Sequence, residues 1–213
     1  STEGYFSKKS KASYLVNYRY STLALMQRFV PSLEGVLPKY QDLSFNIHVP
    51  TKAGDFGLFG LGGSNLAEGT TPVADSSQWE SSGESTNFNA QQQLGVVGLR
   101  HRLLLGEKSY LKTVVAVSAD NYQDFSYRLR PEQNYAEDPY DDTNFENYAV
   151  RLHSMFNTKL DARNTLRVGL IASHLDYNYF YRNKDWDTDI WTVYFDEGGN
   201  TQQYEGYAQW KHR

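Results

Sequence analysis

Residues 40–63 constrain this chain more than any other stretch. In Tyr40-Gln-Asp-Leu-Ser-Phe-Asn-Ile-His-Val-Pro50, the residues Leu43, Phe45, Ile47 and Val49 alternate with Asp42, Ser44, Asn46 and His48. Successive side chains of a strand point to opposite faces, so the segment carries one apolar and one polar wall. The run Pro50-Thr-Lys-Ala-Gly54 then reverses the chain, because proline cannot continue a ladder and glycine tolerates a tight turn. The return segment, Asp55 to Gly63, interleaves Phe56, Leu58, Phe59 and Leu61 with glycine. A hairpin of this kind predicts an all-β protein, and the rest of the sequence repeats it.

Further strands are predicted at Ala12–Ser21, Phe88–Leu105, Ser109–Tyr127, Asn147–Asn157 and Thr165–Asn178, with a last one starting near Gln203. Leu23–Val30 is expected to form a short helix ended by Pro31. Connections alternate between short ones, near 50–54, 106–108 and 158–164, and long ones, near 22–39, 64–87, 128–146 and 179–202. An antiparallel up-and-down meander with its long loops at one end produces that rhythm. The better strands hold about ten residues or more, enough to cross a bilayer when tilted. Soluble strands average about five to six. The expectation is one segment, 1–213, of about eight long strands forming part of a transmembrane β-barrel, or a closed or rolled sheet if it folds alone.

Composition narrows the function. Of 213 residues, 17 are Tyr, 11 Phe and 4 Trp, in a chain that is otherwise polar. So many rings argue against disorder. A polar average is compatible with a membrane barrel, whose strands alternate and whose outer loops are hydrophilic. Tyr20, Tyr40, Tyr110, Tyr122, Tyr177, Tyr204 and Trp210 fall near predicted strand ends, as an interfacial belt requires. A net charge of -4 without a basic block argues against nucleic acid as a partner. The absence of cysteine excludes disulfides and thiolate chemistry. A soluble β-sandwich that binds carbohydrate also alternates, and stays open as an alternative at this point.

No catalytic constellation is read, and the chain is expected not to be an enzyme. His48, His101, His153, His174 and His212 fall on separate strands without metal-ligand spacing, so no metal site is expected. Asp185-Trp-Asp-Thr-Asp189 has the alternate carboxylates of a calcium loop, but Ile190 stands where that loop needs glycine. The best ligand-binding candidates are Tyr177, Tyr179, Tyr181, Arg182, Trp186 and Trp191. Rings interleaved with Asn, Asp and Arg stack on sugars or planar chelates while polar groups fix their orientation.

Lys11-Ala-Ser-Tyr-Leu-Val-Asn-Tyr-Arg-Tyr-Ser21, Leu37-Pro-Lys-Tyr-Gln-Asp-Leu-Ser-Phe45, Phe56-Gly-Leu-Phe-Gly-Leu-Gly-Gly63 and Gln203-Tyr-Glu-Gly-Tyr-Ala-Gln-Trp-Lys-His212 resemble the barrel of TonB-dependent outer-membrane receptors. The resemblance extends to the subgroup carrying an N-terminal carboxypeptidase-regulatory-like domain. It implies a place in a closed barrel of about 22 strands, lipid as the outer partner, and location in the outer membrane of a Gram-negative bacterium. It also implies import of a nutrient such as a metal chelate, a glycan or a cofactor, driven by a TonB-type energy-coupling protein. No plug or TonB box is read in the sequence, so contact with that protein is expected through parts absent from this chain. The alternative within the membrane is a complete eight-stranded structural or adhesive barrel.

Overall fold

The computed structural model describes residues 1–7, 11–21, 39–70, 76–79 and 85–212. The helix expected at Leu23–Val30 lies outside the described residues, as does nearly all of the connection 22–39. Nine strands form one antiparallel sheet in sequence order: β1 (Thr2–Tyr5), β2 (Ser13–Tyr20), β3 (Lys39–Thr51), β4 (Gly54–Gly69), β5 (Thr86–Leu104), β6 (Ser109–Arg130), β7 (Ala136–Lys159), β8 (Asn164–Lys184) and β9 (Trp191–His212). The extra strand relative to the expected eight is β1. The sheet is open, and β1 and β9 are its edges.

The alternation in the sequence becomes two continuous faces. Val16, Phe45, Gly60, Val97, Val117 and Val150 stand in one cross-strand row on the apolar face. The next row on the other face, Asn17, Ser44, Leu61, Val96, Ser118 and Ala149, belongs to the polar wall. No second sheet packs on either face among the described residues, so the sandwich alternative is not the fold. The apolar face stays open: Leu99 is 59% exposed, Val117 53% and Leu170 67%. Among the described residues the buried hydrophobic side chains are Ala12, Leu129 and Ala149, far too few for a sealed core.

The apolar face is a band of limited height. It begins at the row of Leu103, Leu111, Phe156 and Val168 and ends at the row of Gly95, Ala119 and Tyr148. Beyond that row the same face carries Asn121, Glu146 and Asn178. Leu111 to Ala119 spans roughly 27 Å of strand, close to what a tilted membrane strand requires. The belt reading is corrected by this register. Tyr20, Tyr204 and Trp210 share the apolar face, whereas Tyr40, Tyr110, Tyr122 and Tyr177 stand on the polar wall. Tyr18 and Tyr148 mark the far border of the band instead.

The expected long loops at 128–146 and 179–202 are corrected too. Both are mostly strand, joined by connections of only 131–135 and 185–190. The expected loop at 64–87 is strand through Gly69 and again from Thr86. These extensions mix charged residues and aromatic rings on both faces, so no clean period-two signal marks them. Ladder hydrogen bonds and cross-strand charge pairs hold them together. At the other end the turns are closed locally. Thr51 Oγ accepts from Ala53 N at 3.1 Å and donates to the Gly54 carbonyl at 2.8 Å. Asp161 Oδ1 accepts from the backbone amides of Arg163 and Asn164 at 2.7 and 2.9 Å. Gly54 and Gly106 supply the positive φ, 114° and 88°, that the two glycine turns need.

Candidate functional site

Just beyond the apolar band, the polar wall holds an aromatic row that crosses three strands. Tyr122, Phe145 and Tyr179 are consecutive partners on β6, β7 and β8. Phe145 and Tyr179 lie 5.1 Å apart at 59°, and Tyr177 lies 5.1 Å from Tyr179 at 46°. Gly199, beside Tyr177 on β9, makes room for that ring: a Cβ there would stand 2.9 Å from the Tyr177 hydroxyl.

Below this row the wall sinks into a cup of about 380 Å³. Ala149, Ser118 and Thr201 lie in its lining, Tyr177 and Tyr179 supply rings, and Asp120, Asn147 and Arg151 supply polar groups. Register explains the convergence, since Asp120, Asn147 and Tyr177 are direct cross-strand neighbours. The Tyr179 hydroxyl donates to Asn147 Oδ1 at 2.7 Å, and Asn147 Nδ2 donates to Asp120 Oδ2 at 3.0 Å. Arg151 Nη1 donates to Ser118 Oγ at 3.1 Å. The Asp120 carboxylate, the Asn147 amide and the Arg151 guanidinium are thus fixed beside two tilted rings. Such a set can clasp a polar ligand with an apolar face.

The six residues singled out in the sequence are divided by the structure. Tyr177, Tyr179 and Tyr181 share the polar wall, with Tyr181 stacked at 5.3 Å on Tyr194. Arg182 follows Tyr181 directly and by alternation stands on the opposite face. Its Nε donates to Asp142 at 2.9 Å, and its guanidinium lies 4.5 Å above the Trp191 ring. Trp186 belongs to the β8–β9 turn, where it packs on Arg128 and Tyr140. Arg182, Trp186 and Trp191 therefore do not join the cup. Asp120, Asn147 and Arg151 do, and sequence reading missed them because only the register brings them to Tyr177.

Above the cup, charges lock the far ends of the strands. Arg128, Arg130 and Lys184 all donate to Asp138, at 2.9, 2.6 and 2.5 Å. Arg128 also reaches Asp189 at 2.7 Å, and Arg130 pairs with the same carboxylate. Burial pushes the Asp138 carboxyl up, but the hydrogen bonds from Lys184, Arg128 and Arg130 outweigh it and hold the group well below the usual carboxylate range. The acidic run at 185–189 is thereby accounted for. Asp185 accepts from the amides of Asp187 and Thr188, which brings its own pKa down, and Asp189 faces the arginines. Burial, followed by the charge of Asp124, raises the Tyr122 pKa, and burial, followed by the charge of Asp141, raises that of Tyr181, so both remain donors.

No protein-family model matches the chain, and no curated protein does. Among solved structures, it is similar to the ferric yersiniabactin uptake receptor FyuA from Yersinia pestis, with a TM-score of 0.58 over 93% of this chain at 14% identity. The chain spans 31% of the length of that receptor. At that identity the likeness is one of fold: an antiparallel meander of long strands.

Proposed function

We propose that this chain forms part of the barrel wall of a TonB-dependent outer-membrane receptor in a Gram-negative bacterium, and that its polar wall lines the path of an imported nutrient. The observation that carries the reading is the open apolar band. A face with Leu99, Val117 and Leu170 this exposed needs hydrocarbon or protein against it. Its height and the polarity of the rows beyond it suit a bilayer. The resemblance of Lys11–Ser21 and Phe56–Gly63 to receptor barrels supports it, as does the fold shared with a ferric yersiniabactin uptake receptor. In this reading lipid covers the apolar face, and a TonB-type protein engages parts outside this chain. The cup at Tyr177 and Tyr179 contacts the nutrient, whether metal chelate, glycan or cofactor. The role is binding and passage, without catalysis.

Two measurements test this. The chain has no cysteine, so single cysteines report topology cleanly. On intact cells, a membrane-impermeant thiol reagent should label Asn134→Cys in the β6–β7 connection. It should label Ala162→Cys in the β7–β8 turn only after the outer membrane is permeabilised. Equal labelling of both without permeabilisation defeats the reading. Deleting the natural gene should abolish growth on one class of iron chelate, glycan or cofactor supplied as sole source. Wild type should restore that growth, and Tyr177→Ala with Tyr179→Ala should not.

A further inference from the structure

A second charged feature occupies the polar wall toward the short-turn end. Arg102 on β5 stands directly opposite Lys112 on β6, and Arg100 lies one side-chain step along β5 on the same face. Like charges directly opposite each other destabilise a sheet unless something neutralises them. Among the described residues no carboxylate lies within ion-pair distance of these three cations. Asp55 faces Arg102 in the register, yet it sits 3.8 Å from His48 instead.

Both guanidinium groups are held in place by their surroundings. Arg100 lies against the bare backbone of Gly57, where a Cβ would stand 2.8 Å from its Nη2. The Arg102 guanidinium carbon lies 4.6 Å from the centre of the Tyr110 ring. With His48, Tyr110 and one carboxylate, Asp55, the three cations rim a cavity of about 340 Å³, so positive charge is in excess around it. Two rigid forks and a mobile ammonium around one hollow match the oxygens of a tetrahedral oxyanion.

We propose that Arg100, Arg102 and Lys112 form a binding site for a phosphate group, either free inorganic phosphate or phosphate carried on a small molecule. The site is separate from the Tyr177 cup and does not depend on the import reading. An unneutralised like-charge pair, fixed in place and open to water, is the arrangement an arriving anion stabilises.

The test titrates inorganic phosphate, by calorimetry at low salt, into the intact natural protein containing this chain, purified in detergent. Wild type should bind saturably, and the affinity should fall as sodium chloride is added. Arg100→Gln with Arg102→Gln should weaken binding at least tenfold. Lys112→Gln, which leaves both arginines packed, should weaken it several-fold and serves if the double variant fails to fold. Arg163→Gln, in a turn at the same end of the sheet, should bind as wild type does. Glucose 6-phosphate displacing the anion would show that a carried phosphate is accepted, and failure to displace would assign the site to the free ion. Absence of saturable phosphate binding to wild type, or equal binding by the arginine and lysine variants, overturns the proposal.

Discussion

The Arg128 guanidinium lies 4.7 Å from the centre of the Trp186 ring and donates from Nη1 to the Trp186 carbonyl oxygen at 3.0 Å. One side chain of β6 thus holds the β8–β9 turn from two strands away. Arg128→Ala removes charge-assisted hydrogen bonds from a buried group, at a cost of roughly 2–3 kcal/mol. Exchange of the Asp189 amide, bonded to the Asp185 carbonyl at 3.1 Å, should quicken about 30- to 150-fold. Trp186→Ala removes only the ring, worth about 1 kcal/mol, and should quicken it about fivefold. The Leu160 amide, bonded to the Asn164 carbonyl at the other end, should not change in either variant.

Acid should loosen the same region from one side only. Asp138 has its pKa lowered from an ordinary 3.8, so its contribution to stability is complete above that value. It is lost as pH falls from there toward the depressed folded pKa. Amide protection in 128–138 and 184–190 should therefore be constant between pH 7 and 5 and decline below about pH 4. Asp138→Asn should be less protected at pH 7 and show a flatter acid profile. An identical decline in the variant would assign the acid response to other groups.

Gly169 is where two strands meet across a third. His153 on β7 and Tyr207 on β9 make a 3.0 Å hydrogen bond over β8, and a Cβ on Gly169 would collide with the Tyr207 ring. Gly169→Ala should cost about 1–3 kcal/mol in denaturant unfolding from detergent. Gly206→Ala meets only Leu170 Cδ2 at 3.4 Å and should stay within about 0.5 kcal/mol of wild type.

The two faces should answer charge differently. Leu152 stands at mid-height of the apolar band and Gln203 on the polar wall. Leu152→Arg should destabilise the membrane-inserted protein by roughly 2–4 kcal/mol, and Gln203→Arg should have little effect. Equal tolerance of both would mean that the band does not meet hydrocarbon.

The faces were legible because each residue of the band meets either water or an apolar medium, and Leu111, Val115 and Val117 against Lys112 and Ser118 record that choice. At the start of β7 charged and polar residues fill both faces, so Asp141, Asp142 and Asn144 read as loop although they are strand. The cross-strand pairs that hold them, such as Arg128 with Asp138, are charge complements spaced by a turn, which hydropathy patterns do not report. Of the site, Tyr177 and Tyr179 were visible as rings among polar residues. Arg182 was misjudged because it follows Tyr181 in sequence but faces away from it. Asp120, Asn147 and Arg151 needed the register, a non-local property.

The free rims of the sheet have a consequence in time. Among the described residues the outer side of β9, 22 residues long, presents its amides and carbonyls to no neighbouring strand. Hydrocarbon cannot satisfy them, at a cost of several kcal/mol for each group left bare. On the proposed reading, β9 cannot sink into a bilayer ahead of a partner strand, and its insertion is a joint event.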